Sequence, residues 1–131
     1  MNADAHRAKA EAIERSLAKC TPADYETVIE ACMLAGTHWF NLALHAAKLL
    51  PVDHDAMHAE FLTLGQRRKI ACVLPAALTA LDTIESLRTP YVRGDLPGGA
   101  QAAERTLECL AELKRAAMHS DTERSTPSRS A

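Results

Sequence analysis

The sequence predicts an all-α fold, an antiparallel up-and-down bundle of four to five helices, and three observations carry that prediction. Ala and Leu dominate the apolar residues while aromatics make up only 4%, and both residues lose little side-chain freedom in a helix. Apolar positions recur at spacings of three and four over several long stretches. No stretch sustains the period-two alternation of a half-buried strand.

A first helix is expected over 3–19, with Ala10, Ile13, Leu17 and Cys20 on one thin, alanine-rich face. A second starts at Thr21, a capping residue, with Pro22 in the first helical position and Asp24 in the first turn. Its face runs from Tyr25 through Val28, Ile29, Cys32, Gly36, Trp39, Ala43 and Ala46 to Leu50, and Pro51 stops it. Gly36 inside it costs about 1 kcal/mol against Ala and points to close helix approach. A short extra helix is expected at about 53–64, capped by Asp53 and broken by Gly65. The next helix spans about 66–88, with Ile70, Leu74, Ala77, Leu81 and Ile84 as its seam and a kink at Pro75. Thr89-Pro90 ends it, and a last helix runs from about 99 to 118, burying Ala103, Leu107, Leu110 and Leu113 or Ala117. One domain thus covers 1–119, and the Ser/Thr-rich stretch 120–131, which offers no core face, is expected to be a disordered tail.

Formal net charge is −2, so no overall field draws the chain to nucleic acid, and DNA is not an expected partner. The compact cluster Arg67-Arg68-Lys69 reads as a solvated helix face. Cys20, Cys32, Cys72 and Cys109 form no C-x-x-C pair, which argues against a metal ribbon or a redox motif. Cys32 and Cys72 fall in apolar stretches and are expected to act as small hydrophobes. The first residues lack the apolar core of a signal peptide, and no stretch reaches the ~20 apolar residues of a membrane span. A reduced, cytoplasmic protein with no membrane partner is the expectation.

Three polar groupings ask for a reason. At 100° per residue, His38 and His45 lie about 20° apart around the second helix, with Asn41 within about 60° of both. Such a strip supplies imidazoles for a base or a metal, or buried groups bonded to neighbouring helices. His54 and His58, at i and i+4 with Asp55 between, would share a helical face and could ligate one metal. Arg88 and Tyr91 continue the seam of the fourth helix where apolar residues belong, and Arg93 follows. A guanidinium there must be paired, since burying it alone is costly. Glu30, Asp82 and Glu85 are its candidate partners. Otherwise it serves as a fixed cation for an anionic ligand.

The stretch from Glu30 to His45 (EACMLAGTHWFNLALH), followed by Ile84 to Gly94 (IESLRTPYVRG), resembles the HEPN superfamily of helical bundles, and within it small uncharacterised bacterial members. The similarity covers roughly 8–117 in helix order and spacing. It implies a bundle that dimerises, and an association with RNA cleavage or with nucleotide binding beside nucleotidyltransferase-type partners. Ribonuclease members carry Arg, four to six residues, then His. Arg88 is the nearest match to that arginine, but no His follows at that distance, and Arg115 is separated from His119 by three residues.

The leading expectation is therefore a non-catalytic HEPN-like homodimer that binds an anionic ligand, a nucleotide or RNA, or a partner protein. Its candidate ligand-binding residues are His38, Asn41, His45, Arg88, Tyr91 and Arg93, and no cofactor is expected. A divergent ribonuclease or a histidine-based metal hydrolase, the latter on His54 and His58, is one alternative. A purely structural interaction bundle is the other.

Overall fold

The structure, a computed structural model, describes residues 1–125. It contains five α-helices: α1 (Ala3–Leu17), α2 (Tyr25–Ala46), α3 (Leu64–Val73), α4 (Pro75–Arg88) and α5 (Gly99–Ser125). No strand occurs among the described residues, and no helix is long and apolar enough to cross a membrane.

Side-chain contacts fix the helix directions. His6 near the start of α1 meets His38 and His45 in the second half of α2. Glu30 early in α2 meets Arg88 at the end of α4, and Arg7 in α1 meets Asp121 late in α5. Each of these pairs runs antiparallel. Gly36 instead lies against Leu113, and Gly99 against Tyr25, so α2 and α5 run parallel as the close diagonal of an up-and-down bundle. Gly36 makes that approach possible, because a Cβ there would sit 3.0 Å from Leu113 Cδ1 and 3.5 Å from Ile84 Cδ1. The core forms around α2: Ile29, Trp39, Phe40, Leu42 and Leu44 are fully buried with Leu81, Ile84 and Leu113.

Several details depart from the sequence expectation. The expected helix at 53–64 is absent: 53–63 is a loop with one 3₁₀ turn, Ala59–Phe61, and Leu64 and the expected breaker Gly65 open α3 instead. Bundle side chains take several of the loop's polar groups: Asn41 pairs with Ala56, and Glu85 Oε1 accepts from the Ala59 N–H. At Pro75 the chain does more than kink. Leu74 leaves the helical region (φ −131°, ψ 56°), since proline disfavours that region for the residue before it, and α4 restarts with Pro75 in its first turn. Cys72 is exposed rather than packed, whereas Cys32 is buried. Helix α5 continues beyond 119 through Ser125, because Ser120 is buried and Asp121 meets Arg7. The rest of the expected tail, 126–131, lies outside the described residues.

Helix α2 stops at Ala46, short of Pro51, in a tight cap. The Leu49 N–H bonds Leu44 O at 2.8 Å and the Lys48 N–H bonds His45 O at 3.1 Å, with Lys48 left-handed at φ 58°. This is a Schellman arrangement with Lys where Gly is usual. A non-glycine residue there costs about 1 kcal/mol or more. Lys48→Gly is therefore expected to raise unfolding stability by roughly 0.5–1 kcal/mol, read from urea denaturation midpoints at an unchanged m-value. A loss of stability would mean that the lysine side chain makes a contact worth more than the strain.

Candidate functional site

The cap of α2 has a consequence for chemistry. It folds the chain back so that the Leu50 carbonyl faces His45 Nδ1 at 3.1 Å. A carbonyl only accepts, so Nδ1 carries the proton and Nε2 is turned outward. His45 Nε2 then lies 2.7 Å from Asp55 Oδ1. The same carboxylate oxygen is 2.9 Å from His6 Nε2, delivered from the first turns of α1. His6 Nδ1 in turn lies 3.0 Å from His38 Nδ1, and one of those two nitrogens holds the shared proton. The imidazoles of His6 and His45 are buried and Asp55 is partly open, with 26% of its side chain exposed. Asp55 Oδ2 also accepts from the Met1 amino group at 3.2 Å.

Asn41 sets the position of Asp55. Its amide donates to Ala56 O at 2.8 Å and accepts from the Ala56 N–H at 2.7 Å, closing a two-bond clamp on the residue next to Asp55. A third bond, to Thr37 O at 2.9 Å, anchors the amide on α2. Among the described residues, no buried side-chain nitrogen or oxygen lacks a hydrogen-bond partner. Burial alone would raise the Asp55 carboxyl, but its close contacts with the His45 and His6 imidazoles outweigh it and bring it to about 2. Burial lowers His6 against the opposing pull of Asp55. It also lowers His38, with His6 and Lys9 adding to the effect.

Above this cluster opens a groove of about 280 Å³ whose lining includes His38, Asp55, Met33, Leu34, Met57 and Arg88. At its far end His58 and Arg88 also line a smaller polar cavity of about 90 Å³, completed by Glu85, Thr89 and Arg93. His58 Nδ1 is 3.1 Å from Glu85 Oε1. Arg88 binds Glu30 side-on, Nε to Oε1 at 2.8 Å and Nη2 to Oε2 at 3.2 Å. Of its three candidate partners Glu30 takes it, while Asp82 pairs with Arg67.

The predicted residues thus divide. His38, Asn41 and Arg88 reach the groove, His45 lies beneath it, and Arg93 lines the cavity next door. Tyr91 packs against the core instead, continuing the seam. His54 and His58 do not share a helical face, because their segment is a loop: His54 is exposed beside Asp53, and His58 turns to Glu85. The pattern reading missed His6 and Asp55. His6 stands four residues before Ala10 on the apolar stripe of α1, which is the signal that marks it. Asp55 lies inside the His54–His58 pair but is the member that the site uses.

Comparisons with known protein families, with curated proteins and with solved structures gave no match to this chain.

Proposed function

We propose that this bundle is a binding module for a small phosphorylated ligand of nucleotide type. The observation that carries the reading is the joining of the two cavities. His58, Arg88 and Arg93 line the polar end, and Met33, Leu34 and Met57 flank the groove leading from it. The guanidinium groups of Arg88 and Arg93 suit a phosphate, and the methionine and leucine walls suit the flat face of a base. The groove is at the small end for ligand sites, which favours a mononucleotide over a folded RNA. The HEPN resemblance agrees with this reading, as does the missing histidine of the ribonuclease motif.

Catalysis is not part of the proposal. The Arg-to-His spacing of the ribonuclease members is missing from this sequence. Titration calorimetry with AMP is expected to give Kd below about 1 mM, with inorganic phosphate weaker. Arg93 is exposed, so Arg93→Gln leaves the fold intact. It should weaken AMP about tenfold by removing a charge-assisted bond. A short oligouridylate should remain uncut in the same buffer. No heat with AMP, or equal binding by the variant, would remove the basis of the reading.

A further inference from the structure

The cluster beneath the groove has a proton count that does not close with three neutral imidazoles and one carboxylate. Leu50 O requires the proton of His45 on Nδ1, and a singly protonated ring then presents a bare lone pair at Nε2. That lone pair would face an acceptor-only carboxylate oxygen at 2.7 Å. Something positive must lie between them: either a second proton on a ring with 1% of its side chain exposed, or a cation. His6 is indifferent to the choice. With its Nε2 protonated toward Asp55, its Nδ1 accepts from His38. With its Nε2 engaged by a cation, its Nδ1–H donates to His38 instead.

From this arrangement we infer a divalent transition-metal site on His6 Nε2, His45 Nε2 and Asp55 Oδ1, independent of what the groove binds. The three donors come from α1, α2 and the loop after α2, and donor atoms of the three side chains lie within 4.8 Å of one another. Two imidazoles and a carboxylate suit Zn²⁺ and its neighbours rather than Mg²⁺ or Ca²⁺. Metal–ligand bonds of about 2.0–2.2 Å set tetrahedral edges near 3.4 Å. The two donor contacts on Asp55, 2.7 and 2.9 Å, must therefore lengthen by about 0.5–0.7 Å, and a partly exposed loop carboxylate can make that movement. Each ring's other nitrogen is already held, His45 by a backbone carbonyl and His6 by His38, which is how metal-binding imidazoles are oriented. Three protein donors leave a fourth position for water or a ligand.

Calorimetry with Zn²⁺ and the visible spectrum of Co²⁺ test the site directly on the full chain purified without a His tag. A single equivalent of Zn²⁺ is expected, and Co²⁺ should give the intense d–d bands of four-coordination. Asp55→Asn and His6→Gln should each weaken Zn²⁺ by more than tenfold, and His38→Gln by about tenfold through loss of the orienting bond. Circular dichroism identifies any variant that fails to fold. His54→Gln serves as the surface control and should bind as the parent does. Stoichiometry below about 0.1 equivalents would overturn the site, since a tight site fills. So would binding that survives both Asp55→Asn and His6→Gln, or that His54→Gln abolishes.

Discussion

Trp39→Ala is expected to cost about 3–5 kcal/mol of unfolding free energy, the range for removing a buried tryptophan. Against the roughly 5–15 kcal/mol that holds a domain of this size folded, the variant should be marginal at 37 °C. Trp39 is fully buried on α2, and its ring does more than fill space. The indole N–H donates to Glu14 Oε2 of α1 at 3.2 Å, and Lys114 of α5 sits 5.6 Å above the ring. Lys114 also lies 3.6 Å from Glu14, so one side chain ties three helices together. Because Trp39 is the single tryptophan, the loss is best followed by circular dichroism during urea unfolding rather than by fluorescence. Trp39→Phe keeps much of the buried area and should cost clearly less. A change below about 1 kcal/mol for Trp39→Ala would contradict the packing described here.

The parts legible in the sequence are those governed by periodicity. The faces of α2 and α5 and the closeness at Gly36 follow from apolar spacing, whereas the chain after Arg88 runs on as a π-helical turn, Thr89–Arg93, through the expected breaker Pro90. Periodicity also misled in two places. Ala46 and Leu50 are four apart, so the pattern carries α2 to Pro51, yet Leu50 gets its burial by way of a left-handed turn at Lys48. The pair His54 and His58 has helical spacing, but the segment has no helix, because its backbone finds better partners in Asn41 and Glu85. Spacing arguments assume the element, and loops held by side chains escape them. His6 was within reach, four residues before Ala10. Asp55 was not, because its importance comes from His6, 49 residues away on α1, and from a loop that folds back onto His45.

Asn41→Leu is the substitution that separates the loop from the site. Leucine has nearly the shape of asparagine but offers nothing to Ala56, so a buried N–H and a C=O lose their partners together. Each buried orphan costs about 1–3 kcal/mol, which places the loss at about 2–6 kcal/mol. The effect should be local as well as global. Without the clamp on Ala56, Asp55 is no longer held against His6 and His45, and the loop between α2 and α3 should open to proteolysis before the bundle unfolds. Histidine side-chain NMR would show it, with the His6 and His45 signals moving while that of exposed His119 on α5 stays in place. Asn41 acts here as a positioning residue, so the variant should weaken Zn²⁺ even under conditions where it is fully folded. Unchanged histidine signals would mean instead that α1 and α2 alone hold the cluster. Asp55 would then be carried there by its own bonds to the two imidazoles.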